Sequence, residues 1–219
     1  MAARDTVIFD FGGVITSSPF EAFNRLEAQR GLPHGLIRRI NAAEPDTNAW
    51  ARFERAEIDA GAFDALFAAE ARALGHELAG RDVIALLGGD IRPRMVAALD
   101  WLTAHGFTLA CITNNVPAGY GAQMSTDEER AEATRAVLDR FSHVVESSKV
   151  RLRKPDPRIY ALACETLGKA PGHCVYLDDL GINCKPAAAM GMAAIKVTGA
   201  DQALAELERA LDLPAGTLP

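Results

Sequence analysis

Apolar residues fall into two patterns along the chain. Short unbroken runs, each followed by polar or glycine-rich residues, lie at Thr6 to Phe9, Thr108 to Ile112, Cys174 to Leu177 and Ala193 to Val197. Runs of this kind predict buried strands. His143 to Glu146 is a fainter run of the same type. Between the runs the spacing is helical. Arg92 to His105 has Pro93 in its first turn and Gly106 as a stop. Pro157 to Leu167 follows Asp156, a good N-cap, and meets Gly168. Asn183 to Met190 ends at Gly191, and Asp201 to Leu211 closes the pattern. Strand alternating with helix predicts an α/β fold with a parallel sheet covered on both faces.

From Phe20 to Leu87 this rhythm stops. The segments PFEAFNRLEAQRG, GLIRRINAAE, WARFERAE and DAGAFDALFAAEARALG all read as amphipathic helices, with no convincing strand among them. The stretch predicts a helical subdomain inserted between the first two strands. The expected division is core over 1–16, helices over 17–91 and core again over 92–219. Val116 to Glu129, rich in small and polar residues, is expected to be a loop leading into a helix.

Composition narrows the function classes. The chain has 219 residues, 49% of them hydrophobic and 24% charged, with a formal net charge of -6. An acidic chain without a basic stripe is a poor nucleic-acid binder. Cys111, Cys164, Cys174 and Cys184 form no CxxC pair, so a zinc site is not expected and buried free thiols are. MAARDT leads straight into a strand, without the pattern of a signal peptide. No apolar run reaches the ~18 residues of a membrane span. A cytoplasmic protein that binds neither nucleic acid nor membrane is expected.

In an open parallel sheet, ligands bind beyond the carboxyl ends of the strands. Asp10, Gly12 and Gly13 follow the first strand. Thr113, Asn114 and Asn115 follow the second, and Asp178, Asp179 and Asn183 the third; Lys154 precedes the helix at Pro157. Carboxylates gathered in one place repel unless a cation sits among them, and hard oxygen ligands favour Mg²⁺. Thr113 offers a hydroxyl to a phosphoryl oxygen, Asn114 an amide and Lys154 a positive charge. Glycines after Asp10 let backbone N–H groups approach an anion closely. Such a set suits phosphoryl transfer, with Asp10 as a nucleophile that forms an aspartyl phosphate.

Four segments, VIFDFGGV, CITNN, RKPDPRIY and VYLDDLGINCKPA, resemble in sequence and order the motifs of the haloacid dehalogenase (HAD) superfamily. Within it, RKPDPRIY and LDDLGINCKPAAAMGM are most similar to the phosphatase domain at the N-terminus of soluble epoxide hydrolases. The related domain of some acyl-CoA dehydrogenases is similar too. The resemblance implies a Rossmann-like core, with the inserted helices as a cap, and hydrolysis of a small phosphorylated substrate with magnesium. It implies Asp10 as nucleophile and magnesium ligand, Thr113 and Asn114 at the phosphate, and Lys154 stabilising the phosphoryl group. It implies Asp179 and the backbone carbonyl of Gly12 as further magnesium ligands, with Asp178 and Asn183 supporting that loop from behind.

Gly12 departs from the pattern. Phosphatases of the family usually carry aspartate there, which protonates the leaving group and then activates water. General acid–base catalysis is worth about 10²–10⁴-fold, so a slow phosphatase is expected. Glu21, His34 and Glu57 are cap candidates for a replacement. Two alternatives remain open: a non-catalytic phosphate-binding protein on the same scaffold, and a metal-independent 2-haloacid dehalogenase, against which the Asp178–Asp179 pair argues. Trp50, Phe53, Phe63 and Phe67 recur at helical spacing as core or pocket residues. Arg151 and Arg153 are expected to be solvated, with binding of a substrate phosphate as the lesser alternative, and the five histidines form no ligand spacing.

Overall fold

The computed structural model describes residues 4–117 and 128–219. Five strands form one parallel sheet: β1 (Thr6–Phe9), β2 (Thr108–Thr113), β3 (His143–Glu146), β4 (Cys174–Asp178) and β5 (Ala193–Lys196), in the order β3-β2-β1-β4-β5. β1 is central, with Val7 level with Leu109 on one side and Val175 on the other. That register puts the first residue after β1, Asp10, between the ends of β2 and β4. The Asp10 N–H extends the ladder by donating to the Leu177 carbonyl at 2.8 Å.

Alternate strand residues point to opposite faces, and each face has its own core. Val7, Phe9, Leu109, Cys111, Val175 and Leu177 pack with helices α6 (Pro93–Ala104) and α11 (Ala200–Ala210) through Leu99, Leu102, Leu204 and Leu207. Ile8, Ala110, Ile112 and Tyr176 pack on the other face with α9 (Pro157–Leu167) and α10 (Gly181–Ala189) through Ile159, Tyr160 and Ala187. α7 (Glu128–Leu138) and the short α8 (Ser147–Val150) flank β3. α9 begins with the Asp156 carboxylate accepting the Arg158 N–H at 2.9 Å and ends at Gly168 with φ 62. α10 starts two residues before the expected Asn183, because the Leu180 carbonyl already accepts the N–H groups of Asn183 and Cys184.

Between β1 and α6 lie α1 (Pro19–Gln29), α2 (Leu36–Ala42), α3 (Ala49–Glu54), α4 (Ala60–Ala73) and α5 (Gly80–Ile84). They pack around a third cluster, with Phe23, Ile37, Phe53, Phe63 and Phe67 buried and Val116 joining from beyond β2. Phe53 and Phe63 stack with ring centroids 4.7 Å apart. Burying one such side chain is worth about 1.5–3 kcal/mol, so this layer has an apolar interior of its own. The chain enters and leaves it side by side. Ser17 donates to the Asp90 carbonyl at 2.8 Å and Arg92 to the Ile15 carbonyl at 2.9 Å, around an antiparallel bridge between Thr16 and Ile91. Of the loop expected over Val116 to Glu129, residues 118–127 lie outside the described residues.

Candidate active site

Asp10 ends the central strand and opens a tight turn. Its Oδ1 accepts the Phe11 N–H at 2.6 Å, and the Thr16 N–H closes the turn on the Phe11 carbonyl at 3.1 Å. The two glycines of that turn have different reasons. Gly12 has the ordinary φ of -69° and ψ of 131°, and a Cβ there would meet nothing within 4 Å. Gly13 has φ 80°, and a Cβ there would lie 2.2 Å from Asp179 Oδ2. Glycine at 13 is what lets Asp179 come against the turn.

Lys154 is buried between two carboxylates. Its Nζ lies 2.7 Å from Asp10 Oδ1 and 2.9 Å from Asp178 Oδ2. Burial alone would lower the pKa of this ammonium, but Asp10 and Asp178 outweigh it and hold Lys154 above the ordinary lysine range. Asp178 is fully buried and saturated with donors. Oδ2 also accepts from the Tyr176 hydroxyl at 2.6 Å, Oδ1 accepts the Leu180 N–H at 2.8 Å, and Asn183 Nδ2 reaches both oxygens at 3.1 Å. Burial, and then Asp178, push Tyr176 well above its ordinary pKa, so its hydroxyl keeps its proton. Tyr160 holds the Asn183 carbonyl at 2.8 Å.

Asp179 turns the other way, and its Oδ2 accepts from the Ser18 hydroxyl at 3.0 Å. Asp10, Asp178 and Asp179 each offer an oxygen, all within 4.8 Å of one another. Burial first, then neighbouring carboxylates, push Asp10 and Asp179 above the ordinary carboxylate range, with Lys154 pulling both down. Three carboxylates around one ammonium leave an excess of negative charge. That donor set could hold a hard divalent cation. Asp178 has the least to give it. Asp10 Oδ2 has no protein donor among the described residues.

Asn114 is clamped to Lys154. Its Oδ1 accepts the Lys154 N–H at 2.8 Å and its Nδ2 donates to the Lys154 carbonyl at 3.0 Å. The amide expected at a phosphoryl oxygen is thus spent on the lysine's main chain. The neighbouring Asn115 is tied to α8, with its Oδ1 accepting the Ser148 N–H at 3.1 Å.

These residues open on a cavity of about 660 Å³. Asp10, Gly12, Thr113, Asn114, Lys154, Asp179 and Asn183 line it, with Asp178 behind them. The helical layer supplies the opposite wall, including Phe20, Phe23, Trp50 and Leu87. Trp50 therefore faces the cavity, while Phe53, Phe63 and Phe67 are core. None of Glu21, His34 and Glu57 lines it; Glu57 pairs with Arg55 at 2.6 Å instead. Two carboxylates of the helical layer do line it, Asp46 between α2 and α3, and Glu54 at the end of α3. Glu54 is the bonded one. Its Oε1 accepts from Trp50 Nε1 at 2.8 Å, and its Oε2 from Arg153 Nε at 2.5 Å and Asn114 Nδ2 at 3.3 Å. Arg153, expected to be solvated, is thus the partner of a buried acid. Ser18, Tyr176 and Glu54 were not singled out in the sequence. Ser18 carried one signal, since it precedes Pro19 as an N-cap would, yet its hydroxyl makes no capping bond and goes to Asp179.

Comparison with known proteins agrees with this architecture. A family model described as haloacid dehalogenase-like hydrolase matches residues 4–191. The chain belongs to that family. It is 34% identical to mouse (Mus musculus) acyl-CoA dehydrogenase family member 10 over 95% of this chain and 19% of the relative. It is 30% identical to bifunctional epoxide hydrolase 2 of Sus scrofa over 95% of this chain and 39% of the relative. The chain thus spans well under half the length of these two relatives. Among solved structures, a HAD family enzyme from Bacteroides thetaiotaomicron, a magnesium complex, aligns with TM-score 0.62 at 19% identity, over 95% of this chain and all of that one. The L-2-haloacid dehalogenase of Xanthobacter autotrophicus aligns with TM-score 0.60 at 21% identity, over 99% of this chain and 84% of that one. At these identities the two structures show the fold. Among the described residues no helix is long and apolar enough to cross a membrane.

Proposed function

We propose that this hydrolase is a magnesium-dependent phosphatase acting on a small organic phosphate through an aspartyl phosphate on Asp10. The observation that carries this is the buried row of Asp10, Lys154 and Asp178, with Asp179 free of Lys154 and held by Ser18. Adjacent acids at the end of β4, one of them turned away from the lysine, favour a metal over the metal-independent dehalogenase. Magnesium would be held by Asp10, Asp179 and the Gly12 carbonyl, and would supply positive charge for the phosphoryl oxygens.

Asp10 attacks phosphorus, the bond to the ester oxygen breaks, and the leaving oxygen takes its proton from water. Water then attacks the aspartyl phosphate, the bond between phosphorus and the Asp10 oxygen breaks, and inorganic phosphate departs. Lys154 keeps Asp10 oriented and balances charge on the phosphoryl group. Thr113 donates its hydroxyl to the same group. Asn114 serves by fixing the main chain of Lys154. The helical layer covers the site as a cap and excludes water. No side chain at position 12 protonates the leaving group, so alkyl esters react more slowly than aryl esters.

The test is hydrolysis of p-nitrophenyl phosphate with and without Mg²⁺, in wild type, Asp10→Asn and Gly12→Asp. Turnover should require Mg²⁺, vanish in Asp10→Asn and rise in Gly12→Asp. On an alkyl phosphate the rise should approach about 10²-fold, the lower end of what an acid–base group contributes. Turnover that survives Asp10→Asn would sink the mechanism. Silence in all three proteins would favour a phosphate-binding protein, and metal-independent halide release from 2-haloacids would favour the dehalogenase.

A further inference from the structure

Beside the cavity that holds Asp10 lies a second one of about 400 Å³, which the mechanism above does not use. Its lining includes Arg55, Arg151, Arg153 and Arg158, with Asp46 and Asp156. Four guanidinium groups on one cleft are unexpected in a chain of net charge -6. Like charges crowd together at a cost unless anions meet them.

Protein acids meet three of the four. Arg55 lies 2.6 Å from Glu57, Arg153 2.5 Å from Glu54 and Arg158 2.6 Å from Asp156. Each of these pairs uses Nε and leaves a terminal nitrogen outside it. Arg151 has no ion-pair partner among the described residues. It stands at φ 57°, a left-handed backbone uncommon for a residue with a Cβ, just past the end of α8. The fork of donors on a guanidinium matches phosphate and carboxylate oxygens.

The two cavities are neighbours. Asp46, Arg153 and Pro155 line both. Arg153 thus stands between Asp10 and the arginine cleft, and a ligand anchored at Asp10 that extends past it would reach the other guanidinium groups. We infer that the cleft is an anion subsite for a second phosphate or carboxylate on the substrate, so that the enzyme prefers esters carrying a remote anionic group. This rests on the phosphatase reading for the first anchor, while the chemistry of the cleft stands apart from turnover.

The experiment uses ligands that cannot be hydrolysed. Linear α,ω-alkane bisphosphonates of increasing length are titrated by calorimetry in Mg²⁺, beside alkylphosphonates of matching length. At one length or more, the bisphosphonate should bind about tenfold tighter, which is 1.4 kcal/mol. In Arg151→Gln and Arg158→Gln the ratio of the two affinities should fall toward one. Equal affinity at every length, or a ratio unmoved by both substitutions, overturns the subsite. Parallel assays with p-nitrophenyl phosphate separate the two failures. A preserved bisphosphonate preference without turnover defeats the phosphatase and leaves the subsite. Turnover without that preference defeats the subsite alone.

Discussion

On the sheet side of the cavity Asp10, Lys154 and Asp178 lean on one another. Lys154 touches Asp10 and Asp178, and Asp178 is held further by Tyr176, Asn183 and the Leu180 N–H. On the helical side Arg38, Asn41 and Asp46 also line the cavity, but the contact with the sheet side runs through one carboxylate, Glu54, which joins α3 to Arg153 and Asn114. The rest of that wall is largely apolar, with Phe20, Phe23, Trp50 and Leu87. The difference teaches where each side can change. A group in the buried row cannot be removed without stranding its neighbours in low dielectric. An apolar wall can be resized at the cost of packing alone, so ligand choice is more easily altered there than chemistry is at the sheet edge.

The sharpest break in that contrast is Lys154→Met. It leaves Asp10 and Asp178 facing one another without their cation. Breaking a buried pair costs about 3–5 kcal/mol, read as a lower denaturant midpoint, and turnover should drop to background. Next comes Gly13→Ala. The new Cβ must displace Asp179, and the backbone is left-handed there. The cost should be about 1–3 kcal/mol, with a higher Mg²⁺ concentration for half-maximal turnover. Gly12→Ala is its control, with open space and an ordinary backbone, and should shift stability by under about 1 kcal/mol. Apart from that control, the mildest is Glu54→Ala. Arg153 keeps its bond to the Pro45 carbonyl and some access to water. The loss should be about 1 kcal/mol, with KM rising more than kcat falls. If Glu54→Ala costs as much as Lys154→Met, the contrast between the two sides is wrong.

The strands, most helices of the sheet layers and the residues at the sheet's carboxyl edge were legible because their signals are local. An apolar run, a capping aspartate before Pro157 and a glycine after Leu167 can each be read within a few residues. The partners that finish the site carry little local signal. Ser18 meets Asp179 across 161 positions and Glu54 meets Arg153 across 99. Tyr176 read as a strand residue, since nothing local shows that its hydroxyl reaches Asp178 two residues on. Asn114 was expected at a phosphoryl oxygen; it lines the cavity, but its amide clamps Lys154, on a loop 40 positions away.

Position 12 has a genetic consequence. From any glycine codon, a single base change yields aspartate or glutamate. The turn already has a backbone that such a residue adopts, with open space where its side chain would start. An acid at this position is thus within one mutational step, and the backbone puts no steric barrier in its way.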